Sequence, residues 1–184
     1  TEYDLEDASL MSLTTAAGAW HGYYLPELWD TDVTGRQHGG GAMLGASTGA
    51  LVGVTLSQVA PLDLEDQIAT GLLTLAGNGT GASIARFASD NRRDRVSALT
   101  AGGLGGLTLG LATSRYTEFS RNDVILTGLG TTLGGWHGAW FPVLLDDDVS
   151  AEEHASGALL GMSVGALGAG VISQFVELDG TTMI

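Results

Sequence analysis

Charged residues fall in short clusters and leave six uncharged stretches between them, at residues 8–26, 37–62, 67–85, 96–114, 124–145 and 154–176. Within them, small residues recur every fourth position among large apolar ones. The second stretch carries Gly41, Gly45, Gly49, Gly53 and Ser57 in this way, the fourth Ala98, Gly102, Gly106, Gly110 and Ser114, and the sixth Gly157, Gly161, Gly165, Ala169 and Ser173. Residues four apart share one face of a helix, so each series is a shallow groove along a helical side. Strands would alternate with a period of two and be about half as long, and the pattern therefore predicts helices. A glycine inside a helix costs about 1 kcal/mol relative to alanine, a penalty that close packing against another backbone can offset.

Offsets along the chain pair these helices. Asp7, Asp66 and Asp123 precede the odd-numbered stretches at intervals of 59 and 57 residues, and Gly18, Gly77 and Gly134 align with the same steps, as do Gly22, Gly81 and Gly138. The acids suit helix starts, where a carboxylate caps free backbone N–H groups. The expected fold is all-α: three tandem helical hairpins, six long helices, packed through small-xxx-small glycine ladders. A single domain over 1–184 would hold repeats at about 7–61, 62–119 and 120–176. Residues 177–184 read as the start of a further connection, because Glu177-Leu-Asp179 resembles Pro61-Leu-Asp63, and the chain reads as processed or cut from a longer array.

Each stretch is at least 19 residues long, and about 20 uncharged, mostly apolar residues cross a bilayer as a helix. Six in succession is the layout of a polytopic membrane protein, in which small-xxx-small faces let helices touch. The alternative is a soluble helical solenoid that uses the same faces and binds a protein partner, although six helices without a charged face are hard to hide in water. Composition leans the same way. Charged residues make up 15% of the chain where about 25% is usual, while a mean hydropathy of +0.21 reflects the Gly, Ser and Thr in every stretch. A net charge of -14, with seven arginines and no lysine, excludes a nucleic-acid footprint. The absence of cysteine removes disulfides and thiolate sites. The links near 30–36, 86–95 and 146–153 would share one side of a membrane and carry five of the arginines, against Arg115 and Arg121 on the other. The richer side is expected to face the cytoplasm.

The first and third hairpins match most closely: Trp20-His-Gly-Tyr-Tyr-Leu-Pro26 recurs as Trp136-His-Gly-Ala-Trp-Phe-Pro142 at an offset of 116, and His38 recurs as His154. Trp20, Tyr24, Trp29, Trp136 and Trp140 are candidate interfacial aromatics beside the acidic links, or core rings closing the end of a bundle. His21 with His38, and His137 with His154, could meet between two helices and hold a metal or haem, with Glu27, Glu152 and Glu153 as completing ligands. The plainer role is hydrogen bonding between helices, and no cofactor is expected. Asp146 to Asp148 with Glu152 and Glu153 lack the spacing of a calcium loop and read as a solvated acidic link. Arg92, Arg93 and Arg95 could bind anionic lipid or pair with Asp90 and Asp94, and the pairing is the default expectation. No nucleophile elbow, phosphate loop or His/acid/nucleophile set is present, so an enzyme is not expected.

The phrases Asn122-Asp-Val-Ile-Leu-Thr-Gly-Leu-Gly-Thr-Thr-Leu-Gly-Gly-Trp-His-Gly138 and Arg95-Val-Ser-Ala-Leu-Thr-Ala-Gly-Gly-Leu-Gly-Gly106 resemble the glycine-rich helical-hairpin repeats of large uncharacterised envelope proteins of Gram-negative bacteria. The resemblance implies a bacterial envelope location and no catalytic activity. The expected partners are the lipid bilayer and other membrane subunits, including further copies of the chain. The expected role is a non-enzymatic structural or assembly subunit, with a pore or cofactor-carrying subunit as the reading that would use the His pairs.

Overall fold

In the computed structural model, the structure describes residues 3–175 apart from Thr31, Pro61, Arg115, Glu118 and Asp147. The connection expected at 177–184 lies outside the described residues. Six α-helices follow one another without a strand among the described residues: α1 (Leu5–Tyr24), α2 (Gly35–Val59), α3 (Leu64–Ala88), α4 (Arg92–Thr113), α5 (Arg121–Trp140) and α6 (Ala151–Ser173). Short 3-10 turns over Leu25–Leu28 and Phe141–Leu144 follow α1 and α5, each with the proline that ends the aromatic motif as its second residue.

Polar side chains set the helix starts. Asp4 accepts from the Asp7 amide at 2.9 Å while the Asp7 carboxylate reaches back to the Asp4 amide at 3.3 Å, so two otherwise orphaned donors are satisfied together. Ser120 and Asp123 repeat the arrangement at α5, as do Thr34 with Gln37 at α2 and Ser150 with Glu153 at α6. At α3 the N-cap is Asp63, which accepts from the Asp66 amide at 2.8 Å.

Consecutive helices lie antiparallel in close contact, α1 on α2, α3 on α4 and α5 on α6. Between pairs, α1 touches α3 and α4, and α3 touches α5 and, most extensively, α6. Helix α2 touches no other helix than α1 among the described residues. The centre of the bundle is α3, and what it buries is small or polar: Ala69, Ala76, Thr70, Thr74, Asn78 and Ser83. The most deeply enclosed side chains are Ser83, Ser163 and Ala166, whereas Met43 is 74% exposed and Leu51 71%. A water-soluble domain has the reverse distribution, with large apolar residues inside.

Three helices are long and apolar enough to cross a membrane: α2, α4 and α6. The expectation of six such helices is corrected accordingly. Within α3 the polar residues Gln67, Thr70, Thr74, Asn78 and Ser83 are all buried.

Candidate functional site

The helix-packing residues named from the sequence form three backbone-to-backbone contacts. In the first pair, Gly18 and Gly22 of α1 lie against Gly45 and Gly41 of α2, and Gly49 and Gly53 face Thr14 and Met11. A methyl group added at Gly45 would stand 2.9 Å from the Gly22 Cα and closer still to the Gly18 carbonyl oxygen. In the second pair Gly102 meets Gly77, Ala98 meets Gly81, Gly106 meets Leu73 and Thr74, and Gly110 meets Thr70. In the third pair Gly134 and Gly138 meet Gly161 and Gly157, and Gly165 meets Gly130. A side chain at any of these positions would meet backbone, which cannot swing aside. The same chain also has glycines facing open space, including Gly39, Gly40 and Gly105.

Hydroxyl and amide groups tie the pairs together. Ser163 donates to the Ala76 carbonyl at 2.7 Å and Ser83 to the Ser156 carbonyl at 3.0 Å, joining α3 and α6. At the opposite end, Gln67 donates to the carbonyls of Glu6 and Leu62 at 3.0 and 2.9 Å, and its amide oxygen accepts from Ser9. Sequence reasoning missed these contacts because Ser and Thr occur throughout, and nothing local separates a buried hydroxyl from an exposed one. A cavity of about 340 Å³ opens between α3, α4, α5 and α6, with apolar walls at Leu73, Leu109, Leu167 and Val171 and a buried Thr127 hydroxyl without a hydrogen-bond partner.

The histidines do not form the shared ligand pairs expected of them. His38 and His154 reach across to the preceding helix, with Nδ1 against the carbonyls of Tyr23 at 2.8 Å and Ala139 at 2.6 Å, equivalent bonds in the two hairpins. His21 and His137 instead hold the carbonyl four residues back in their own helices, Ala17 and Leu133, each at 2.8 Å. The free Nε2 of His21 turns to α4, where it and the Asn78 amide oxygen occupy the space a Cβ would fill at Gly103, neither with a hydrogen-bond partner. His137 is exposed. Among the described residues no three His, Cys, Asp or Glu side chains converge to hold a metal ion.

Charge collects at the end where α1 gives way to α2. Glu27, only 3% exposed, receives two hydrogen bonds of 2.7 Å from Arg92 and lies 3.4 Å from His38 Nε2, whose ring stacks on Tyr23. The bonds from Arg92 hold the Glu27 carboxyl below its ordinary range, against the opposing effect of burial, and the charges of Arg92 and His38 add to the lowering. Arg86 pairs with Glu152 at the same end, and Arg95 with Asp90 at 3.4 Å. The expected pairing of Arg92 with Asp90 or Asp94 is thus corrected: Arg92 bridges the first pair of helices to the second, and Asp94 accepts from Ser89 at 2.6 Å. One sequence signal marked Glu27, since Val143 stands at its place in the third hairpin.

The named aromatics gather at this end as well. Trp20 meets Tyr24 edge-on at 5.3 Å and Trp136 meets Trp140 at 6.1 Å, while Trp29 is largely exposed. Comparison of the chain with protein-family models, with curated proteins and with solved structures gives no match.

Proposed function

We propose that the protein is a non-enzymatic subunit embedded in a membrane of the bacterial envelope, where it has a structural or assembly role. The observation that carries the reading is the distribution of side chains: Met43, Leu44, Leu51, Leu75 and Val164 are exposed along the helices, whereas most of the buried side chains are small or polar, with Leu10, Leu62 and Val96 as the large apolar exceptions. Exposed apolar surface on this scale is costly in water and costs nothing against lipid chains. The charged residues and aromatic rings stand at the helix ends, where headgroups would meet them. The envelope location rests on the sequence resemblance alone. The glycine contacts explain how helices without a hydrophobic driving force in lipid stay together.

Fractionation tests the reading. The protein is expected to stay in the membrane pellet through an alkaline carbonate wash and to be released by mild detergent as a folded species. A second reading, the soluble helical solenoid, is favoured by the lower apolarity of α1, α3 and α5. It would be supported, and the membrane reading refuted, by a discrete folded species in detergent-free supernatant.

A further inference from the structure

Helix α3 packs against both α4 and α6, and those two do not touch each other among the described residues. The first turns of both lie against the last turns of α3, where Arg86 meets Glu152 and Ser83 bonds the Ser156 carbonyl. A cleft of about 210 Å³ is left between them there, walled by Arg86, Arg92, Arg95, Val96, Leu99 and Leu159.

These arginines stand where other helices of the chain place acids. Helices α1, α3 and α6 each carry two acids in the first turn, which suits the positive pole of a helix. Helix α4 begins Arg92-Arg93-Asp94-Arg95, with a single acid among three cations. With Arg86, four of the seven arginines of a chain of net charge -14 fall between residues 86 and 95. Cations at that pole oppose the helix dipole and repel one another, and an anion beside them relieves both effects.

The carboxylates of the chain supply that anion only in part. Glu27 is buried and takes Nε and Nη2 of Arg92. Glu152 against Arg86 and Asp90 against Arg95 are both well exposed, where water competes for each pair. Arg95 spends its other bonds on the backbone carbonyls of Ser89 and Asp90. Among the described residues none of these contacts uses Nη1 of Arg86, Arg92 or Arg95, so each guanidinium keeps N–H donors for a further acceptor.

We propose that the cleft binds an anionic phospholipid, with the phosphodiester held by Arg86 and Arg95 and an acyl chain lying along Val96, Leu99 and Leu159. Arginine suits the head, because its planar fork offers parallel N–H donors to phosphate oxygens. The apolar wall favours a lipid over a free anion, which would use the arginines alone. Leu99 lies about two helical turns beyond Arg92, the direction a chain takes from a headgroup into the bilayer, and basic pockets between spanning helices recognise lipid heads in this way. This inference rests on the membrane reading and names the class of lipid that the protein would hold.

The whole chain, purified in mild detergent, can be offered equal amounts of phosphatidylglycerol and phosphatidylcholine with the same acyl chains, and the retained lipid counted by native mass spectrometry. Phosphatidylglycerol should be retained about tenfold over phosphatidylcholine. Arg86→Gln with Arg95→Gln should bring the two near parity, whereas Arg36→Gln with Arg121→Gln, which removes the same charge elsewhere, should keep the preference. Equal retention by the unmodified chain, or a preference that survives the first pair of substitutions, overturns the lipid site. Displacement of phosphatidylglycerol by an equal concentration of inorganic phosphate also overturns it, in favour of a free-anion site. If the Arg86→Gln, Arg95→Gln chain does not fold, a phosphatidylglycerol with a photoreactive acyl chain locates the site in the unmodified protein: label on the peptides holding Leu99 or Leu159 is expected, and label only elsewhere overturns it. Fractionation separates the two ideas. Protein in the membrane pellet without the preference defeats the lipid site alone, whereas folded protein in detergent-free supernatant defeats the membrane reading and the lipid site with it.

Discussion

Gly105 and Gly106 are neighbours on α4 with opposite surroundings, and replacing each by alanine separates helix propensity from helix contact. At Gly105 no atom lies within 4 Å of a new methyl group, so Gly105→Ala should stabilise by up to about 1 kcal/mol through helix propensity. At Gly106 the methyl would stand 3.0 Å from the Thr74 Cα and nearer still to the Leu73 carbonyl oxygen. Both are backbone atoms, so α3 and α4 must move apart, and a gap of 0.5–1 Å already forfeits roughly a quarter to a half of the dispersion attraction between facing atoms. Overpacking costs about 1–3 kcal/mol; after the same propensity gain, Gly106→Ala should be destabilised by up to about 2 kcal/mol. The two variants thus differ by about 1–3 kcal/mol, or roughly 2–12 °C in a chain of this length. Thermal unfolding followed by tryptophan fluorescence in mild detergent measures the gap. A Gly106→Ala protein as stable as Gly105→Ala would mean that the contact between α3 and α4 is not held at backbone distance.

The buried link between α3 and α6 gives a second expectation: Ser163→Ala should lose about 0.6–1 kcal/mol, against less than about 0.5 kcal/mol for Thr108→Ala, whose hydroxyl is exposed and bonds its own helix; equal effects in thermal unfolding would contradict the role of Ser163. The Glu27 cluster gives a third. Because its carboxyl is held below the ordinary range, its stabilisation is complete above the unfolded value near 4.3 and is lost as pH falls through the lower folded value. Glu27→Gln should therefore flatten the decline of the thermal midpoint below about pH 4.3, and an unchanged acid decline would remove Glu27 from the account.

Much of the architecture was legible because helix contact in this chain is made by backbone, and backbone contact leaves a trace in the sequence as glycine. Gly45, Gly106 and Gly161 could be named, with their period, from letters alone. The pairing of side chains between hairpins was not legible. Glu27 and Arg92 lie 65 residues apart, and the local acids Asp90 and Asp94 offered Arg92 nearer partners. Likewise His21 and His38 stand at similar distances from one link, yet helix rotation sends the first toward Gly103 and the second toward Glu27. The period fixes which face of a helix a residue occupies, but its neighbour across the junction depends on how one hairpin is turned on the next. The lower apolarity of α3 has the same origin, since its polar residues are hidden against three different helices, Gln67 against α1, Thr70, Thr74 and Asn78 against α4, and Ser83 against α6.

The arrangement of large apolar residues outside and small polar ones inside is tested most directly by measuring what surrounds the outer residues. Single cysteines at Leu51, Leu104 and Val164, all exposed at mid-helix, and at Asp32, Tyr116 and Asp148 in the links, can be offered a water-soluble maleimide in open membrane fragments. The link cysteines should react within minutes, and the mid-helix cysteines should stay unlabelled until detergent or denaturant displaces the lipid. Rapid labelling of the mid-helix positions in a protein that remains folded would show them facing water and contradict the account.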